Sequence, residues 1–201
     1  MQYRQTSKAI FSSILLTVGT AGSALAHTGH GTESLMEGLV HPFGPDHLLA
    51  MLAVGIWSVS ALPAHKVWQG PATFMLALVV SAVLGAVGVT VPFLEHAIAL
   101  SVSLFGVMLI AAAQPVPKAV GLGLVAVAAS LHGLAHGAET PESGFMGYAV
   151  GFVLTTGLLH LSGVGMGLSI RRWLAAGKHR TALSGLGGVL GMTGLHLFSQ
   201  L

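Results

Sequence analysis

Residues 35–62 read LMEGLVHPFGPDHLLAMLAVGIWSVSAL, and this stretch decides the fold. It is apolar and long enough to cross a bilayer, which takes roughly 20 residues of helix. Its first half, however, contains HPFGPDH at positions 41–47, with two histidines and an aspartate around two prolines. Ionisable side chains inside an apolar span are costly and usually mark a functional pathway. The stretch therefore predicts a membrane helix built around a polar site.

The prolines predict that this span is broken. Proline disfavours helical backbone in the residue before it, so Pro42 and Pro45 should interrupt the helix, and Gly44 adds backbone freedom between them. We expect a short helix through about Val40 and a second helix that has Pro45 or Asp46 in its first turn, where proline is favoured. Broken helices of this kind line ion sites in transporters. The alternative is a turn at the membrane surface with Asp46 as a cap, which accounts for neither histidine.

The composition of the whole chain is typical of a membrane protein. Of its 201 residues, 53% are hydrophobic and 7% are charged, whereas about 25% are charged in a typical soluble domain. Cysteine is absent, which excludes disulfides, thiolate metal sites and cysteine nucleophiles. No basic patch is large enough for nucleic acid, so we expect no nucleic-acid partner.

Residues 1–26 predict a cleavable signal peptide. A positively charged start and a short apolar run lead to Ala24-Leu25-Ala26, which fits the small-x-small cleavage pattern. The alternative is an uncleaved first membrane helix. Cleavage would place His27 at the mature N-terminus, outside the cytoplasm.

The mature chain, residues 27–201, divides into apolar stretches that each approach or exceed the roughly 20 residues needed to span a membrane. We therefore predict an all-α membrane protein, a single domain formed by a six-transmembrane helix bundle with a broken first helix. The predicted spans are residues 35–62, 67–90, 93–113, 118–137, 144–170 and 181–200.

The charges predict the orientation. If the mature N-terminus is periplasmic, every basic residue of the mature chain falls on the cytoplasmic side, as the positive-inside rule requires. These residues are Lys66, Lys118, Arg171, Arg172, Lys178 and Arg180. The acidic residues all fall outside, where they would concentrate cations. We expect a multi-pass protein of the bacterial inner membrane that contacts lipid, and the sequence neither requires nor excludes a homo-oligomer.

A second polar motif lies in the fourth span, where HGLAHGAE occupies positions 132–139. Spacings of four and three place His132, His136 and Glu139 on one face of a helix. Two imidazoles one turn apart can bind one metal ion, and imidazole suits nickel, copper, zinc and iron. The alternative is that both histidines hydrogen-bond to neighbouring carbonyl groups.

The two motifs are predicted to lie at the same depth in the membrane. At about 1.5 Å of rise per residue, the second motif lies in the outer half of its span, at the level of the first motif. His160, in the fifth span, lies deeper. We expect a metal ion to be bound by His41, Asp46, His47, His132, His136 and Glu139, and then passed to His160.

Other histidines have two interpretations. His160 can be a ligand or a core histidine that is bonded within the protein. His27 and His30 can collect metal outside or belong to a solvated tail. We include these three among the predicted metal ligands, and the role of His196 stays open.

Both motifs resemble the characteristic segments of the HupE/UreJ family of nickel permeases. The resemblance rests on HPFGPDHLLAM at 41–51, HGLAHGAE at 132–139 and the stretch from Thr155 to His160, and it covers essentially the whole chain. It implies uptake of divalent nickel, or sometimes cobalt, to supply hydrogenase or urease maturation. The metal is then the transported substrate, and no cofactor is expected.

Without the family resemblance, the residue types and their spacing predict only a histidine-lined metal site in a membrane. Two other functions therefore stay open. An intramembrane zinc hydrolase would use His132, His136 and Ser130, with Asp46 or Glu139 as general base. A metal sensor or binding subunit of a larger membrane complex would bind metal without moving it. We expect a permease rather than an enzyme, with no catalytic residues.

Overall fold

The computed structural model describes residues 35–139 and 145–201, and within these ranges the chain forms helices and no strands. The helices are α1 (Leu35–Val40), α2 (Pro45–Ala61), α3 (Gln69–Ala86), α4 (Leu94–Ile110), α5 (Lys118–Ala138), α6 (Phe145–Trp173) and α7 (Ala176–Phe198). Short 3-10 turns follow α1, precede α3 and follow α4, at His41–Phe43, Ala64–Lys66 and Ala111–Ala113. The predicted signal peptide, His27 and His30 lie outside the described residues.

The described helices are long and apolar enough for a multi-pass membrane protein. By length and composition, five of them, α3 to α7 with their flanking turns, can each cross a membrane. The pair α1 and α2 adds a sixth span when it is counted as one broken helix. The prediction of an all-helical membrane protein with a broken first span is confirmed.

The break lies where the prolines predict it. The segments Leu35–Phe43 and Pro45–Ala61 meet at an angle of 74°. Gly44 adopts φ −52° and ψ 139°, which is the extended backbone that a following proline favours. Pro45 then opens α2 as its first residue, where its missing N–H costs no hydrogen bond.

The last two helices extend further than their predicted spans, into the charged segment between them. α6 continues to Trp173, so Arg171 and Arg172 form its last turn, where cations interact favourably with the helix dipole. α7 begins at Ala176 and includes Lys178 in its first turns. Loss of apolar character marks the edge of the hydrocarbon but does not end a helix, because lysine and arginine are good helix formers. The connection between the last two spans is therefore shorter than predicted.

Glycines allow α2 and α6 to approach closely. A Cβ atom added at Gly55 would lie 2.6 Å from the carbonyl oxygen of His160, and one added at Gly163 would lie 2.5 Å from that of Leu52. Small residues at such crossings let helix backbones touch in membrane proteins. This contact sets α2 directly beside the polar part of α6.

Two further helix pairs pack in the same way. α5 meets α3 through Gly133 and Gly137, and α4 meets α7 through Gly106 and Gly187. The side chains of Phe74, on α3, and Phe105, on α4, are fully buried in the core. In this packing, α2, α5 and α6 each turn a histidine into the interior of the protein.

We predict that Gly163→Ala destabilises the bundle, because the added methyl group collides with the α2 backbone. Overpacking of this kind typically costs about 1–3 kcal/mol. Gly165→Ala is the matched control, since nothing lies within 4 Å of a Cβ at that position. Thermal unfolding of the purified protein in detergent should show a lower midpoint for Gly163→Ala alone. Equal midpoints for both variants would contradict the close approach.

Candidate metal site

Three histidines from three different helices lie in the core. His47, in the first turn of α2, His132, on α5, and His160, on α6, are 2%, 0% and 1% exposed. Such buried polar groups are costly unless their ring nitrogens have partners. The contacts of these nitrogens therefore define the site.

The first group, the buried triad, comprises His47, His132 and His136, each with a ring nitrogen within 4.8 Å of the other two. The Nδ1 atom of His47 lies 3.4 Å from Nδ1 of His132 and 3.2 Å from Nε2 of His136. With a metal–nitrogen bond of about 2.1 Å, neighbouring ligand nitrogens lie about 3.0 Å apart at a right angle and about 3.4 Å apart at a tetrahedral angle. Both distances from His47 thus match the spacing of ligands around one ion.

The second group, the rim triad, comprises His41, His136 and Glu139 and is more exposed. Nε2 of His41 lies 3.0 Å from Nδ1 of His136, which is 3.8 Å from Oε2 of Glu139. The Glu139 side chain is 38% exposed and follows the last residue of α5. The C-terminal end of a helix is electronegative, so α5 favours a cation here.

Local structure explains why these side chains meet. Spacings of four and three place His132, His136 and Glu139 on one face of α5. The break between α1 and α2 places His41 and His47 on two sides of the His136 ring, at centroid distances of 4.7 and 4.9 Å. The histidines of the first and fourth predicted spans therefore converge, as the sequence predicts. Metal ligation itself stays a prediction.

The second ring nitrogen of each buried-triad histidine also has a partner. Nε2 of His132 lies 3.1 Å from the Ser101 hydroxyl, and Nε2 of His47 lies 3.4 Å from the Thr156 hydroxyl. Nδ1 of His136 contacts His41. Metal-ligating histidines are typically held by such contacts, which fix ring orientation and tautomer.

Ser101 determines which nitrogen of His132 faces the triad. Its hydroxyl donates to the carbonyl oxygen of Ile98 at 2.7 Å. Because a hydroxyl has one proton, the Ser101 oxygen accepts from His132, and the proton of that ring lies on Nε2. The lone pair on Nδ1 then points into the buried triad. The sequence did not reveal Ser101, since a lone serine in an apolar span has no motif around it.

Asp46 lies beside the triads but belongs to neither. It is half-buried in the first turn of α2 and interacts electrostatically with both His41 and His132. A negative charge there offsets the positive N-terminal end of α2. Asp46 is in position to neutralise charge beside both triads, and its predicted role as a metal ligand stays a prediction.

His160 lies next to the buried triad and is also outside both groups. Its Nδ1–H donates to the carbonyl oxygen of Thr156 at 2.8 Å, and its ring packs on Phe74 with centroids 5.0 Å apart. Its Nε2 atom is buried and has no hydrogen-bond partner among the described residues. Since the proton is on Nδ1, Nε2 holds an unused lone pair.

Aromatic rings surround the site. The Phe152 ring lies 5.1 Å from His47 and 4.8 Å from His136, and Tyr148 lies 5.5 Å from His41. An apolar shell controls solvent access to a metal site. Ser130, the nucleophile of the hydrolase alternative, donates to the Ala126 carbonyl on its own helix, so it does not have the geometry of an activated nucleophile.

Fold and site together define a multi-pass helical membrane protein with a histidine cluster that can bind a metal ion. Residues 15–197 match the HupE/UreJ protein family, and the chain belongs to that family. It is a transporter family, not an enzyme family, and is associated with nickel uptake for hydrogenase and urease. The predicted family resemblance is confirmed.

One curated relative is Protein HupE of Rhizobium leguminosarum bv. viciae. It is 38% identical over 157 residues, which cover 77% of this chain and 81% of that protein. No solved structure matches the chain.

We predict that Ser101→Ala weakens nickel binding about 10–100-fold, the usual effect of losing the partner of a ligating histidine. Ser101→Thr keeps the hydroxyl and should keep most of the affinity. Ser130→Ala is the control, because that hydroxyl bonds only within its own helix turn. Equilibrium dialysis of nickel against the purified variants measures the effect, and equal affinity in Ser101→Ala and Ser130→Ala would contradict the role of Ser101.

Proposed function

We propose that this protein carries divalent nickel across the bacterial inner membrane into the cytoplasm, to supply hydrogenase or urease maturation. The observation that carries the proposal is the buried triad, in which three imidazoles converge and two of them lie at ligand spacing from His47 Nδ1. Its position inside a membrane bundle favours passage over storage at a surface. Family membership supports nickel as the substrate, although imidazole and carboxylate ligands would also accept cobalt.

Exposure supports a path through the protein. Glu139 is exposed, His41 and His136 are half-buried, and His47 and His132 are buried. An ion attracted by the carboxylate would exchange water for protein ligands stepwise as it moves inward. The unused Nε2 atom of His160 is a suitable next ligand beyond the buried triad.

The distribution of charge supports the direction of transport. α5 runs from Lys118 to Ala138, roughly 30 Å, so the rim triad and Lys118 lie at opposite ends of the helix. Helices α2 and α6 both begin on the side of the rim triad. Lys66 lies just after the far end of α2, and Arg171 lies in the last turn of α6. By the positive-inside rule, the rim triad then faces the periplasm.

We predict opposite accessibility for two introduced cysteines in this cysteine-free chain. Glu95→Cys, at the start of α4, should react with a membrane-impermeant maleimide in intact spheroplasts. His65→Cys, in the turn between α2 and α3, should react only after permeabilisation. Both positions are exposed, so the difference reports the membrane side. The reverse pattern would contradict inward transport through the rim triad.

Liposomes that contain only this protein should accumulate radioactive nickel, whereas a hydrolase or a sensor would not transport it. We predict that His47→Ala and His132→Ala reduce uptake to the protein-free background, because each removes a ligand of the buried triad. His65→Asn is the control, since His65 is exposed and lies beyond the opposite end of α2 from His47. Normal uptake by both triad variants would show that the site is assigned wrongly.

A further inference from the structure

The two triads share His136 and use opposite nitrogens of its ring. We propose that they are two ion sites in series that are occupied alternately, so that the pair of sites holds one ion at a time. This inference rests on the proposed function and specifies how the ion moves from the rim inward.

The geometry of His136 places it between the two sites. Its Nδ1 atom faces His41 at 3.0 Å and Glu139 at 3.8 Å, whereas its Nε2 atom faces His47 at 3.2 Å. A neutral imidazole has a single lone pair, on the nitrogen without the proton. Neutral His136 can therefore ligate an ion on one side only, and binding two ions at once would require removal of its last N–H proton.

With neutral rings, one arrangement of protons makes every contact in the cluster a hydrogen bond. Ser101 places the His132 proton on Nε2, so His132 Nδ1 accepts from His47 Nδ1–H. The same His47 N–H points to His136 Nε2, which accepts, and His136 Nδ1–H donates to His41. This arrangement puts the His47 N–H at the centre of the buried triad.

Entry of an ion into the rim triad reverses part of this arrangement. Ligation by His136 Nδ1 requires the proton of that ring to be on Nε2, where it donates to His47 Nδ1. The His47 proton then lies on Nε2, beside the hydroxyl of Thr156 at 3.4 Å. Each shift moves one proton between the two nitrogens of the same ring, carried by water that the hydrated ion brings into the site, so each ring keeps one proton and none is gained or lost overall. His47 Nδ1 is then ready to ligate.

Movement into the buried triad then needs one further change. The His136 proton returns to Nδ1 and donates again to His41, while Nε2 joins His47 Nδ1 and His132 Nδ1 around the ion. The carboxylate of Glu139 belongs to the rim triad only, so the ion exchanges a ligand set that contains oxygen for one of three nitrogens. The two states therefore differ in coordination.

Nickel binding to the purified full-length protein in detergent tests this inference, with Ni²⁺ alone as the probe. All proteins in this test carry His27→Asn and His30→Asn, which remove the predicted ligands outside the bundle. In this background, taken as the wild type, equilibrium dialysis should give one ion per two triads, and X-ray absorption should show nitrogen-rich coordination. His132→Asn should still bind one ion, now with added oxygen coordination at the rim. The control Glu95→Gln, at an exposed carboxylate outside both triads, should leave the wild-type spectrum unchanged.

Two nickel ions bound by the wild-type triads, one of them lost in His132→Asn and the other in Glu139→Gln, would overturn alternate occupancy. Complete loss of binding in folded His132→Asn would show one combined site and would also overturn it. The wild-type stoichiometry decides the matter even if His132→Asn does not fold. Failure of the proposed function is distinct, because it appears as absent nickel uptake by wild-type liposomes.

Discussion

The need of buried imidazole nitrogens for partners is the constraint on which the rest of the structure depends. An unpaired polar group in an apolar interior costs several times the net gain of a hydrogen bond. The histidines of the two triads meet that need mainly with one another, and the hydroxyls of Ser101 and Thr156 are the further partners of His132 and His47. A cluster satisfied in this way can exchange its internal hydrogen bonds for bonds to an ion without leaving the apolar core.

The broken first span follows from the same constraint. On an unbroken helix, the six positions from His41 to His47 correspond to a rotation of about 600°, so the two rings would point about 120° apart. The 74° bend allows both rings to reach His136. The close contact of α2 with α6 through Gly55 and Gly163 then places Thr156 within reach of His47. Backbone irregularity and close helix packing thus serve one site.

The sequence predicts the parts of the site that depend on local geometry. Prolines mark the break, and the spacing of His132, His136 and Glu139 defines one face of α5. Distances between helices have no such signal, so the division into two triads and the contact with Ser101 required the structure. Asp46, which the sequence grouped with the ligands, lies outside both triads, and residues 46 and 47 point about 100° apart on a helix.

Passage of an ion, unlike storage, requires that binding be strong enough for entry and weak enough for release. Three neutral imidazoles in an apolar shell would by themselves form a tight site for a divalent transition metal. Under the proposed function, sharing of His136 weakens this tendency, because the ring completes one triad only by leaving the other. As an ion leaves the buried triad for a further ligand, His136 becomes available again to the rim triad. His160, on the neighbouring helix, offers a lone pair as that further ligand. The site then releases its cargo by exchanging ligands one at a time, with no need for a large rearrangement of the bundle.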